Sequence, residues 1–179
     1  MLELLSPLAV TPRPLPDAGV RLSECRFPAM AALNAPPGGT AALGHALYVA
    51  MPERPACVAM GQARILWTAP ESWLVLGAPD LAARAGPTGR VTVLDGARCV
   101  IALEGRAAAT ALSRLVPIDL HPRSFGPGSA AATLAAHIPV LLWADPAGGF
   151  RLACYRSFAR SLWEAVEAAA APHGLSVEG

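Results

Sequence analysis

Charge is scarce in this sequence: Asp, Glu, Lys and Arg make up 15% of its 179 residues, well below the usual quarter. The few charges nearly cancel, to a formal +1, and the cations are spread along the chain. That excludes the concentrated basic footprint which nucleic acid or an anionic membrane requires, so neither is expected as a partner. No apolar run approaches the roughly 18 residues of a membrane span. The N-terminal stretch "MLELLSPLAVTPRPLPD" carries neither a basic lead-in nor a small-residue cleavage site, so neither export nor anchoring is expected and the location expected is cytoplasmic.

Chemical motifs are equally sparse. Cys25, Cys57, Cys99 and Cys154 stand far apart, with no CxxC pair and no Cys/His cluster at ligand spacing, and read as buried free thiols. HExxH, GxSxG, Walker A and GxGxxG are all missing. The loop "GPGSA" at 126–130 has two glycines but neither the third nor the preceding strand that a dinucleotide site needs. His45, His121, His137 and His173 are too scattered for a metal site and have no neighbouring nucleophile, His137 standing in an apolar β run. On the residues alone, no catalytic, cofactor-binding or metal-binding residue is assigned.

What is present is apolar. At 54% hydrophobic, much of it Ala, the chain suits one domain, or one and a half, that packs well or gives up surface to a partner. Pro7, Pro12, Pro14 and Pro16 forbid a regular helix in residues 1–20 and favour an extended, docked arm. From 21 to 179 the pattern predicts a single α+β domain. "VRLSECRF" alternates as a strand, and 40–47 reads as a short helix with Thr40 as N-cap. "ARILWTAPESWLVLG" reads as a hairpin turning at "APES", between Trp67 and Trp73. "VTVLD" and "CVIAL" repeat that design around "GAR", and a helix from about 106 to 115 ends at Pro117. "TLAAHIPVLLWA" reads as one long β run, "DPAGG" as a turn into "FRLACY", and 158–170 as a closing amphipathic helix. This order predicts an α+β fold, a mainly antiparallel sheet with helices on one face, and leaves an internal βαβ-type duplication open.

Polar constellations are few. In "DLHPRSF", an extended chain puts Asp119, His121 and Arg123 on one face, where an anion site, a subunit interface and a purely structural role all remain open. Asp95 and Arg98 flank a turn and are expected to form an Asx turn with a local ion pair. Trp73 and Trp163, with Trp67 and Trp143, are expected in the core, although such aromatics also anchor interfaces. Ser157 fits as N-cap of the closing helix. Arg156, where the helix dipole disfavours a cation, is expected to meet an acceptor or a partner's carboxylate.

Four stretches in order, "LWTAPESWLVLG", "VLDGARCVIALEG", "IDLHPRSFGPG" with Thr133 close behind, and "YRSFARSLWEAVEAAA", resemble the gamma subunit of heterotetrameric sarcosine oxidase over roughly residues 36 to 172. The resemblance implies a fold similar to the folate-binding domain of aminomethyltransferases and YgfZ-type proteins. It implies partners too: alpha, beta and delta subunits, in a complex that oxidises sarcosine to glycine, makes hydrogen peroxide and passes one carbon to tetrahydrofolate. FAD, FMN, NAD and zinc belong by this resemblance to the other subunits, and the gamma chain is a non-catalytic member of an oxidoreductase. N-methylglutamate dehydrogenase subunits share the architecture and remain an alternative, as does a free-standing folate-binding aminomethyltransferase-like protein. Against the last stands the missing "KGCYxGQ"-like segment of the folate-binding relatives. Whether the isolated chain forms a homodimer is left open.

Overall fold

In the computed structural model, which describes residues 6–178, the chain builds two antiparallel-rich sheets, each with its own hydrophobic core. Of the described residues, 6–26 and 96–178 form one compact unit, and Phe27–Asp95 form the other.

The first unit carries a six-stranded sheet of order β11-β1-β7-β10-β9-β8. Its strands are β1 (Val20–Cys25), β7 (Arg98–Glu104), β8 (Ala130–Ala135), β9 (Ile138–Ala144), β10 (Phe150–Tyr155) and β11 (Leu175–Val177). All neighbours are antiparallel except β1 and β11. Alternate residues Cys99, Ile101 and Leu103 of β7, with Leu152 and Cys154 of β10, share one core with α3 (Ala108–Leu112) and α4 (Ala159–Ala170). The helix α4 contributes Leu162, Val166 and Ala170, all fully buried, at four-residue spacing, while Arg160 and Glu164 pair on its outer face at 3.0 Å. Val100, Ala102 and Ala153, pointing the other way from the same strands, are buried as well, which is why β7 reads as an unbroken apolar run.

The second unit carries a five-stranded sheet of order β3-β4-β5-β2-β6, made of β2 (Met30–Asn34), β3 (Cys57–Met60), β4 (Ala63–Ala69), β5 (Ser72–Leu76) and β6 (Arg90–Val93). Ala31, Leu33, Ile65, Trp73 and Val75 pack with Leu43 and Leu47 of α1 (Thr40–Leu47) and Leu81 and Ala85 of α2 (Leu81–Ala85). Trp73 is 1% exposed, and its indole N–H donates to the Pro52 carbonyl at 2.8 Å, so its single donor is satisfied in the core. The architecture is therefore α+β, with helices on one face of each sheet.

Several local expectations change. The N-cap of α1 is Gly39, and Thr40 is the first helical residue. A Cβ on Gly39 would lie 2.8 Å from the Pro36 ring, so the Pro-Pro-Gly-Gly turn places a glycine at the cap. The Trp67–Trp73 hairpin forms, but its connection is the pair Pro70–Glu71, with a register shift between Trp67 and Ala69. The two runs around "GAR" are both strands without being hairpin partners: β6 pairs with β2 in one sheet, and β7 with β1 and β10 in the other. The run 133–144 is broken by Ala136 and His137, both at positive φ, so β8 and β9 form a hairpin and His137 is exposed at its tip. The helix expected from 106 to 115 is regular only over Ala108–Leu112. The strands β2, β3 and β11 and the helix α2 have no counterpart in the sequence reading.

The described part of the N-terminal arm docks on the first unit. Leu8 and Val10 pack against its core, Arg13 exchanges backbone hydrogen bonds with Val177, and the Arg13 side chain pairs with Glu167. Residues 1–5 of the expected arm lie outside the described residues.

Leu162 tests the α4 packing. Leu162→Ala removes a fully buried side chain and should cost about 2–5 kcal/mol in denaturant unfolding, with the cooperative transition retained.

Candidate functional site

The junction between β10 and α4 is a 3-10 turn, Arg156–Phe158, and it shapes the most exposed aromatic surface of the first unit. Here β10 ends at Tyr155, whose register partner on β7 is Arg98. The Arg98 guanidinium lies 4.4 Å from the centre of the Tyr155 ring, a cation–π contact worth about 0.5–1 kcal/mol at an exposed site. Tyr155 is nevertheless 51% exposed and Phe158 42%. With Ser6, Pro7, Gly96, Ala97, Arg156 and Ser157 they line an open cleft of about 930 Å³. The Arg156 backbone N–H donates to the Ala97 carbonyl at 3.0 Å, which ties the turn to the start of β7.

Ser157 does not cap α4. The 3-10 turn carries it one residue too early, so Phe158 occupies the N-cap position and no side chain caps the helix. Arg156 is exposed, and its charge is felt at the Cys99 thiol, where it works against burial.

The "DLHPRSF" segment is a turn and not an extended strip. Asp119 accepts hydrogen bonds from the His121 N–H at 2.9 Å and the Ser124 hydroxyl at 2.6 Å. His121 Nδ1 accepts the Arg123 N–H at 3.2 Å, and the His121 carbonyl accepts the N–H groups of Ser124 and Phe125. Asp119 thus organises its own loop, and these bonds hold its carboxyl below the usual carboxylate range. Asp119, His121 and Arg123 are all exposed, and the Asp119 carboxylate and His121 Nδ1 are engaged within the turn itself. Asp95 and Arg98 also part company. Asp95 accepts the Met30 N–H at 2.7 Å, whereas Arg98 lies over Tyr155. Trp163 is buried, as Trp73 is.

The folded chain brings together residues that linear spacing hid. Cys99 and Cys154 are direct register partners across β7 and β10, both buried and free. Burial pushes their thiols up to about 12 and about 11. Cys25 is also raised by burial, with Arg151 opposing. Glu104 bridges Arg151 at 2.6 Å and Arg21 at 3.4 Å. Among the described residues, no group of three or more His, Cys, Asp or Glu side chains is placed to hold a metal ion. Among the described residues, no helix is long and apolar enough to cross a membrane.

Residues 32–172 match the sarcosine oxidase, gamma subunit family. The chain belongs to that family. A sarcosine oxidase subunit gamma of Arthrobacter sp is 40% identical over 137 residues, which cover 69% of this chain and 66% of that protein. The subunit gamma of Corynebacterium sp. (strain U-96) is 36% identical over 153 residues, covering 79% and 75%. The match therefore spans just under two thirds of the Arthrobacter relative. Among solved structures, the heterotetrameric sarcosine oxidase of Corynebacterium sp. U-96, in complex with pyrrole 2-carboxylate, contains a chain similar to this one. It superposes with TM-score 0.78 and 33% identity, over 89% of this chain and 88% of that one. The glycine cleavage system aminomethyltransferase T of Bartonella henselae shares the fold, at TM-score 0.59 and 19% identity, over 90% of this chain and 48% of its own.

Two measurements probe this gamma-family site. An NMR pH titration should place the Asp119 carboxyl midpoint below 3.8, and Ser124→Ala should move it back up. The sign follows from linkage: a depressed carboxyl contributes stability above its unfolded midpoint and loses it as pH falls through the folded one. A thiol reagent at pH 8 should leave Cys99 and Cys154 unmodified in the native chain and modify both in denaturant, since a thiol titrating near 11 is about 0.1% thiolate there.

Proposed function

We propose that this chain is a gamma-type subunit which supports assembly of a heterotetrameric, flavin-dependent sarcosine oxidase and carries no redox chemistry itself. The observation behind this reading is the 0.78 TM-score superposition, nearly end to end, on a chain of a heterotetrameric sarcosine oxidase. In this reading the partners are alpha, beta and delta subunits. Flavins, nicotinamide dinucleotide and zinc are held by them, and the whole complex converts sarcosine to glycine with hydrogen peroxide and methylene-tetrahydrofolate as co-products. The gamma-type chain contributes shape and surface. Stable hetero-complex interfaces are large and apolar, with aromatic and Arg side chains enriched in their cores. The Tyr155–Phe158 cleft, with Arg156 in its lining and Arg98 against the Tyr155 ring, has that composition. Asp119, His121 and Arg123 form a second exposed polar turn for the rim of such a contact.

The test is co-expression with the alpha, beta and delta subunits. The chain should co-purify at one copy per complex, and a complex that forms and turns over sarcosine equally well without it would overturn the proposal. Arg156→Ala should leave the unfolding transition in place while weakening retention in the complex. The aminomethyltransferase fold supports a second reading, folate binding by the isolated chain. Calorimetric titration with tetrahydrofolate separates the two, because the assembly reading expects no heat.

A further inference from the structure

From Phe27 to Pro52 the sequence contains no Asp, Glu, Lys or Arg. Much of this stretch is exposed, including Ala41, Ala42 and His45 on the outer side of α1 and Tyr48 at its end. A surface helix ordinarily carries charge on its solvent side, and α1 carries none. Tyr48 is the sharpest feature. It ends α1 in the left-handed conformation, φ 56° and ψ 42°, with its N–H donating to the Gly44 and His45 carbonyls. Glycine is the usual residue there, because a Cβ is strained at that φ. Its side chain is 94% exposed, so no packing within the chain offsets the strain. Beside it Ala41, Gly44, His45, Val49 and Ala50 line an open cleft of about 460 Å³.

We infer that the outer face of α1, anchored by Tyr48, docks a different subunit of the oxidase complex through an apolar, charge-poor surface on that subunit. The inference rests on the assembly reading above and names the surface that serves it. Three observations select this occupant. The helix and its cleft lining carry no Asp, Glu, Lys or Arg, and the Arg84 guanidinium that reaches the end of α1 is hydrogen-bonded to the Leu47 carbonyl at 3.0 Å, so the face offers little to hold a polyanion or an ionic peptide. An aromatic ring with a hydroxyl at its tip suits the desolvated centre of a protein–protein contact. The face is too small to hold a free-standing dimer of this chain by itself: an eight-residue helix is about 12 Å long and about 10 Å across, far short of the roughly 800 Å² per partner of a stable interface. The α1 face is therefore one contact among several in a larger assembly.

Tyr48→Gly separates docking from folding, because glycine relieves the left-handed strain while deleting the ring. The isolated variant should unfold no earlier than the parent chain. Its affinity for the co-expressed alpha, beta and delta subunits should fall roughly tenfold or more, as for an interface anchor. His45→Glu, which adds a charge to the same face, should weaken assembly likewise. If the parent chain enters the complex and both variants enter it equally well, the α1 surface is overturned and the assembly reading stands. A parent chain that never enters the complex overturns both. Sedimentation of the isolated chain completes the test: a dimer that Tyr48→Gly dissociates would make a second copy the occupant and overturn the inference.

Discussion

Everything in the first unit depends on the pairing of β7 with both β1 and β10. These strands come from opposite ends of the chain, and β7 is the seam that joins them. Closing the β1–β7 contact spans the whole of Phe27–Asp95, an entropic cost that rises only slowly with loop length. The seam offsets it by burying β7 on both faces, from Cys99 to Leu103. The same register sets Arg98 against Tyr155 and Cys99 against Cys154, and the Arg156–Ala97 hydrogen bond continues it into the turn before α4. The exposed cleft is thus positioned by backbone pairing, and its side chains need few mutual contacts to stay in place.

The surface chemistry follows from the low charge content. With few charged side chains to cover the surface, each unit also exposes rings: Tyr48 in one, Tyr155 and Phe158 in the other. Exposed apolar surface of this kind suits a chain that works inside an assembly. The ionic contacts that exist are spent internally. Glu104 holds Arg21 and Arg151 at the β1–β7–β10 seam, and Arg13 with Glu167 fastens the arm to α4.

Legibility in the sequence tracked the range of the interactions. Strands that alternate and turns that contain Pro or Gly were visible, as in the Trp67–Trp73 hairpin and the turn into β10. The hairpin tip at Ala136 and His137 was not, because neither residue type signals a left-handed turn. β2, with the sequence MAALN, is rich in a good helix former and is held as a strand only by β5 and β6 on either side. β11 has three residues and exists through parallel pairing with β1, whose partner sequence lies at the other end of the chain. The candidate site was legible in part. "YRSF" stands where β10 turns into α4, but the role assigned to Ser157 failed on a single 3-10 turn, Arg98 meets Tyr155 instead of Asp95, and the role of Asp119 became local.

By itself the sequence determined the α+β class, the amphipathic α4 and the family, because these rest on periodicity and on ordered motifs that survive in one dimension. Only the tertiary structure decided that β6 and β7 go to different sheets, that Cys99 faces Cys154, and that Tyr48 stands in solvent on a strained cap. Strand partnership is settled by burial against residues far away in the chain, and the exposure of one side chain depends on what the rest of the fold leaves uncovered.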